Sequence, residues 1–258
     1  MKLGIIGYGN MAKAILSGII GKNVIDRGDI IVSAKSSASI NLAKKEYGVN
    51  TTLDNTIVSK SDIVLIAVEK EVYPLVLNEI KDSLLANTII WSIAASFSLN
   101  DISRVIGKNV KVLRTMPNTP SKVGFGVTAV TPNSLLTEIE LDNLVFIISS
   151  FSTVKIIRED LQEKIVPLTG SSPAMVFMFI EAMAEEAISL GFNSDDAYRL
   201  SALSVLGSAK MVLETKEHPS VLRDKVCTPG GVTIKMVKTL EEEGFKKSII
   251  KAMEVCVK

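Results

Sequence analysis

The chain has 258 residues, 47% of them hydrophobic and 22% charged, with a net charge of +1, 2 cysteines and a single histidine, His218. This is the composition of a folded globular protein; it excludes a disordered chain and gives no electrostatic footing for nucleic acid or an acidic membrane surface. Two cysteines and one histidine are too few for a disulfide framework, a cysteine zinc site or a multi-histidine metal centre.

An apolar run, Leu3-Gly4-Ile5-Ile6, starts almost at Met1. It lacks the basic region, longer apolar stretch and cleavage site of a signal peptide, so a cytoplasmic location is expected. Short β-branched runs predict strands at 3–6, 30–32, 63–68, 88–91, 110–114 and 153–157. Amphipathic segments between them predict helices near 11–20, 39–47, 73–80 and 139–150. Strands alternating with helices imply βαβ units and a parallel sheet covered on both faces. Residues 62–68 read as a nearly continuous apolar run, as a central strand does.

After about Leu161 no strand signal remains. Helices are expected from Ser172-Pro173 to Leu190, from Ser194 to about Glu214, around Leu222, after Gly230-Gly231, and from Lys246 to Val257. The predicted fold class is α/β: a Rossmann-like dinucleotide-binding domain over residues 1–160, then an all-helical domain over 161–258. The most apolar stretch, Val176 to Ile180, is cut short by Glu181, Glu185 and Glu186. It falls below the ~20 residues that span a bilayer, so no membrane partner is expected. The helix that carries it is apolar on most faces, which predicts a homo-oligomer that buries it between subunits.

The first strand runs into Gly7-Tyr8-Gly9-Asn10-Met11-Ala12 and then a helix. Gly7 permits the tight turn, Gly9 lets backbone approach a pyrophosphate, and Ala12 allows close packing of helix on sheet. The helix N-terminus offers N–H groups to the phosphates. An ordinary strand–helix turn is the bland alternative. At the end of the second strand NAD binders carry an acid for the ribose 2′-hydroxyl. Here stand Ser33-Ala34-Lys35-Ser36-Ser37, with no acid, and Asp26 and Asp29 precede the strand at its wrong end. A lysine among hydroxyls suits a 2′-phosphate, so NADPH is favoured, with NADH the alternative.

The strand at 110–114 ends in Thr115-Met116-Pro117-Asn118-Thr119-Pro120. Ligands of open α/β sheets sit at such carboxyl ends, and two prolines fix the loop; a rigid turn without a ligand is the other reading. In Thr228-Pro229-Gly230-Gly231-Val232-Thr233, Thr228 is expected as a helix N-cap with Pro229 at the first helical position. Two glycines there can gather successive N–H groups into an anion site for a small carboxylate, where a plain capped helix is the alternative. His218-Pro219 reads as a loop before another helix.

Together these residues resemble the Δ1-pyrroline-5-carboxylate reductase family, NAD(P)H enzymes of the last step to proline. The likeness runs from end to end, through Gly7–Ala12, Ser92–Ala95, Arg114–Pro120, Gly170–Ala174, Ala209-Lys210-Met211, His218-Pro219, Thr228–Thr233, Leu240-Glu241 and Gly244-Phe245. The resemblance implies a dinucleotide-binding domain plus a helical domain that interleaves with a partner into a dimer, sometimes assembled further. It implies that the substrate carboxylate is held by backbone N–H groups of Gly230, Gly231 and Val232 and by the Thr228 hydroxyl. Thr233, as the catalytic residue, would contact the ring nitrogen. Cofactor contacts are implied for Gly7, Tyr8, Gly9, Asn10, Met11, Ser33, Lys35, Ser36, Ala67 and Val68, with Ala94, Ala95, Met116, Asn118 and Thr119 along the nicotinamide. The chain departs from the family pattern at Glu69-Lys70, where Lys-Pro is usual, and at Ser96 and Ser172, where glycine is usual. Those departures motivate a second reading, a weak or altered-substrate paralogue that still binds NADP(H) and acts on another cyclic imine acid or as a regulatory protein. A β-hydroxyacid dehydrogenase fits less well, since its lysine base belongs on the long helix and 173–190 contains none.

Overall fold

The computed structural model describes residues 1–256. Val257, where the last helix was expected to end, lies outside them. The described chain packs as two compact units that part after Gly170, rather than at the change of texture near 160. Residues 159–170 stay with the first unit because Gln162, 2% exposed, donates to Thr131 Oγ1 at 2.9 Å, and Thr169 O accepts from Asn118.

The first unit holds eight strands: β1 (Leu3–Ile6), β2 (Ile30–Ser33), β3 (Asn50–Thr52), β4 (Ile63–Ile66), β5 (Ile89–Ser92), β6 (Lys111–Met116), β7 (Gly126–Pro132) and β8 (Ser152–Ile156). They form one sheet in the order β3-β2-β1-β4-β5-β6-β7-β8. Every pairing is parallel except β6 with β7. Six helices cover it: α1 (Asn10–Gly21), α2 (Ser37–Tyr47), α3 (Asn55–Val58), α4 (Tyr73–Ile80), α5 (Leu99–Ile106) and α6 (Glu138–Ile148).

Period-two alternation sorts the strand residues onto two cores. Leu3, Ile5, Leu65, Trp91 and Leu113 pack with Ile15, Leu16 and Ile19 of α1 and Leu144 and Ile147 of α6. Ile6, Val64, Ile66, Ile90 and Val112 pack with Tyr73, Leu77 and Ile80 of α4 and Ile102 of α5. Because both faces of β4 are buried, its continuous apolar run follows directly from its central place.

Two strands and two helices were not expected. β3 is three polar residues at the sheet edge, and β7 is the antiparallel strand that follows a proline-bracketed loop. α3 is a single turn capped by Asp54, and α5 opens on a capping box in which Ser98 and Asp101 satisfy each other's backbone N–H groups.

The second unit is helical throughout its described residues: α7 (Ser172–Ser189), α8 (Ser194–Thr215), α9 (Pro219–Val226), α10 (Val232–Glu242) and α11 (Phe245–Val255). α7 packs along α8, and the Phe179 and Phe245 rings lie 6.0 Å apart. α7 buries only Ala184, leaving Phe177 62% and Met178 69% exposed within the single chain. With the turn before it, residues 166–189 are long and apolar enough to cross a membrane by length and composition alone. That length counts the apolar turn from Val166 onward as well as the Val176–Ile180 stretch.

Candidate active site

β1 ends in Gly7, whose φ of +99° few residues with a side chain adopt. A Cβ there would collide with the Ala67 carbonyl oxygen, so the glycine is required by the protein itself. Its N–H donates to Ser33 O at 2.8 Å, and Ala67 N–H donates to Ile6 O at 2.8 Å, which ties the loop to β2 and β4. Gly9 differs. It is the N-cap of α1, no side chain caps that helix, and a Cβ built on Gly9 would meet nothing within 4 Å. The open space over an uncapped helix N-terminus is what a pyrophosphate needs, so the residues present fit a dinucleotide. Asn10 and Met11 start the helix, whereas the Tyr8 side chain turns away. Its hydroxyl donates to Glu46 on α2 at 2.5 Å, and Lys13 Nζ lies 5.0 Å from its ring centre. Burial first, and then the Glu46 carboxylate, push the Tyr8 phenol well above its ordinary pKa, so it stays a neutral donor.

Past the end of β2, a cavity of about 330 Å³ is lined by Gly7, Lys35, Asn55, Val68, Val72 and Glu79, among others. Lys35 and Val68 therefore lie where the ribose end of a dinucleotide was expected. The hydroxyls of Ser33 and Ser36, both expected at the cofactor, bond within the protein. Ser33 is fully buried, with its hydroxyl donating to Asn55 Oδ1 at 2.7 Å, and the Ser36 hydroxyl caps α2 by accepting from Ser39 N–H at 3.2 Å. Asn55, on a one-turn helix with no motif to announce it, lines the cavity together with Lys35 and Glu79.

The loop after β5 is held from several sides. Ser92 Oγ accepts from the Tyr73 hydroxyl at 2.6 Å and from Ala94 N–H at 3.2 Å. Arg114, 3% exposed, donates from Nη2 to the Ala95 carbonyl at 2.6 Å and from Nη1 to Glu159 at 3.2 Å. Glu159 also accepts from Leu99 N–H at 2.6 Å, so one carboxylate ties the loop end to β6. Sequence reasoning placed Arg114 on a strand and in a motif of the family likeness, without a role. A charge that follows two buried apolar residues inside a strand, as Arg114 follows Val112 and Leu113, is the signal that marks such a tie. Glu69 and Ser96, two of the departures from the family pattern, are exposed.

At the end of β6, Asn118 is bonded into the protein. Its side chain is 6% exposed, accepts from Val127 N–H at 2.9 Å and donates to Thr169 O at 2.9 Å, so it fastens the loop. Thr119 begins the short turn beside α1 and lines a second cavity, of about 690 Å³, with Asn10, Met11 and Lys122. Met116 approaches Gly170, where a Cβ would lie 3.3 Å from its Cε.

In the helical unit, the segment expected to hold a carboxylate takes a different form from the capped helix expected. Gly230 has φ +72°, and Gly231 N–H donates to Thr228 O at 3.0 Å. With Pro229 second and Gly230 third, this is a type II turn. α10 begins only at Val232, with Gly231 as a cap that offers no side-chain bond. Thr228 is thus a turn residue, not the N-cap, and the Gly231 N–H is engaged inside the turn. The turn folds the Thr228 hydroxyl back against Gly231, where a Cβ would collide with it. That hydroxyl, the first N–H groups of α10 at Val232 and Thr233, and the half-exposed Thr233 side chain sit at one helix N-terminus.

Residues 159–258 match the family model described as pyrroline-5-carboxylate reductase dimerisation, and residues 2–96 match the model described as NADP oxidoreductase coenzyme F420-dependent. The pyrroline-5-carboxylate reductase of Escherichia coli (strain K12) is 42% identical over 257 residues, covering 99% of this chain and 96% of that protein. Among solved structures, a pyrroline-5-carboxylate reductase from Coxiella burnetii superposes with a TM-score of 0.89 at 34% identity, covering 99% of this chain and 96% of its own. The Plasmodium falciparum pyrroline carboxylate reductase with NADP bound gives 0.91 at 26% identity, covering 100% and 95%. The chain belongs to the pyrroline-5-carboxylate reductase family.

Proposed function

We propose that this chain is a cytoplasmic, homodimeric pyrroline-5-carboxylate reductase that uses NADPH to reduce Δ1-pyrroline-5-carboxylate to L-proline. The observation that carries the cofactor half of this reading is Gly9: the protein itself leaves its Cβ direction empty, directly over an uncapped helix N-terminus. Gly7, Gly9, Asn10 and Met11 form the pyrophosphate loop. Lys35 and Asn55 face the adenosine ribose, and the Ala94-Ala95 loop and the Met116–Thr119 turn border the nicotinamide. When bound, the reduced nicotinamide supplies a hydride to the carbon of the ring C=N bond.

The chain's own residues bind and orient. The substrate carboxylate takes the Thr228 hydroxyl and the N–H groups of Val232 and Thr233, where the positive end of the α10 dipole adds to the attraction. The Thr233 hydroxyl hydrogen-bonds the ring nitrogen and fixes which face of the imine is presented. The nitrogen takes its proton from solvent, so the product is the secondary amine and the balance is one hydride plus one proton. No side chain acts as a strong acid. The hydride transfer itself is the cofactor's chemistry, for which the protein supplies orientation and electrostatics.

NADPH oxidation by the purified protein in the presence of Δ1-pyrroline-5-carboxylate tests this directly. Thr233→Val is expected to lower turnover by roughly ten- to a hundredfold, the equivalent of one hydrogen bond to a charged group, with NADPH affinity nearly unchanged. Parallel loss of both would remove Thr233 from the substrate role. Tight NADPH binding without turnover in the unmodified chain would replace this reading with that of an altered-substrate paralogue.

A further inference from the structure

One carboxylate faces the cavity at the end of β2 and has no part in the scheme above. Glu79, near the C-terminal end of α4, lines that cavity together with Lys35 and Asn55. Its Oε2 accepts from Asn55 Nδ2 at 2.9 Å, while Asn55 Oδ1 accepts from Ser33 Oγ at 2.7 Å. An ionised carboxylate only accepts, so the amide must turn its NH2 toward Glu79 and its oxygen toward Ser33. Held in that orientation, Asn55 keeps one N–H and one lone pair for a ligand. Neither Lys35 nor Glu79 forms an ion pair among the described residues. One ammonium and one carboxylate therefore border the same space, neither with an ionic partner among the described residues.

We propose that Glu79 is a specificity-determining residue for the ribose 2′ position of the dinucleotide, acting by its charge on the cavity and by positioning Asn55. This rests on the cofactor reading above. A 2′-phosphate, with a charge near −2, is drawn by Lys35 and repelled by Glu79. A 2′-hydroxyl is a donor, and both the Glu79 carboxylate and the free lone pair of Asn55 accept. The pair of opposite charges holds the preference for NADPH to a modest level and keeps NADH usable. The acid that marks an NADH site, missing from the end of β2, is supplied here from α4.

The test is calorimetric titration of NADP⁺ and of NAD⁺ into the full chain, its Glu79→Gln variant and its Lys35→Gln variant. Glutamine keeps an acceptor for Asn55 and removes only the charge. Glu79→Gln is expected to raise the ratio of NADP⁺ to NAD⁺ affinity roughly three- to tenfold, through tighter NADP⁺ binding, with the gain shrinking as salt is raised. Lys35→Gln is expected to move the ratio the opposite way. A merely structural role for Glu79 would weaken both dinucleotides together and leave the ratio in place. A ratio in Glu79→Gln that is unchanged or lower would overturn the inference. Because the readout is binding, a shifted ratio in a chain that does not reduce the pyrroline would sink the proposed reaction and leave this inference standing. Failure of the unmodified chain to bind either dinucleotide would overturn it.

Discussion

The two glycines of the first loop separate folding from binding. Gly7 is held at positive φ with the Ala67 carbonyl in the place of a Cβ, so Gly7→Ala meets both backbone strain and a clash in the sheet. Gly9→Ala meets neither and gives up only the N-cap preference of glycine over alanine, about 0.5–1 kcal/mol. Gly9→Val extends the side chain into the space assigned to the pyrophosphate. Thermal unfolding and NADPH titration should therefore diverge. Gly7→Ala is expected to lose about 2 kcal/mol or more of stability. Gly9→Val should keep its melting temperature close to that of the unmodified chain and bind NADPH at least about tenfold more weakly, the equivalent of roughly 1.4 kcal/mol. Equal NADPH affinity in Gly9→Val would show that the loop does not carry the phosphates. Both glycines were legible in the sequence because the motif names positions. Asn55 and Glu79 were not, since they lie 22 and 46 residues beyond Ser33 and meet it only through tertiary packing.

At the scale of elements, what was readable followed from burial. The helices of the second unit and the central strands carry long apolar patterns, and they stand within a few residues of where periodicity puts them. β3 has no apolar residue to show a period, and β7, Gly-Val-Thr-Ala-Val-Thr-Pro, is flanked by turn residues that mimic a loop. α5 had a readable start in Ser98-x-x-Asp101, but with only Ile102 and Ile106 buried its apolar face is one pair long. The Thr228 turn shows the limit of capping rules. Threonine before proline is a helix-start signal, yet Gly230 at positive φ makes a turn first and moves the start to Val232. The loop after β5 owes its shape to Arg114, and its contribution can be measured. Arg114→Met keeps the apolar stem, removes the donor to the Ala95 carbonyl and leaves Glu159, 35% exposed, without its cation. A loss of about 2 kcal/mol is expected in denaturant unfolding, below the cost of a fully buried pair because water reaches Glu159. Amide exchange should quicken across residues 93–98. Unchanged exchange there would mean that Ser92 and Tyr73 hold the loop alone.

At the scale of the whole molecule, the central strands of the sheet are covered by helices on both faces, whereas the long helices of the second unit are left largely open. Along α7 and α8 the single chain exposes Phe177, Met178, Leu203, Leu206 and Leu213, each by more than half. Exposed apolar area of this kind is rare on a monomer and marks an interaction surface. Two coverings satisfy the same physics, a second copy of the chain or a bilayer, and residues 166–189 pass the length and composition test for the latter. Glu181, Glu185 and Glu186 argue for the copy. Three carboxylates in the last turns of α7 are costly in hydrocarbon and are accommodated readily at the wet rim of a protein interface. The charge test is Phe177→Glu combined with Leu206→Glu, which puts two carboxylates into the apolar face and forfeits about 1.5–3 kcal/mol of burial at each position in every subunit. Sedimentation at micromolar concentration without detergent is expected to find the unmodified chain as a dimer or a larger assembly of dimers, and the double variant as a folded monomer. A monomeric unmodified chain that pellets with lipid vesicles would reverse the assignment, and a double variant that stays dimeric would place the interface elsewhere on the helical unit.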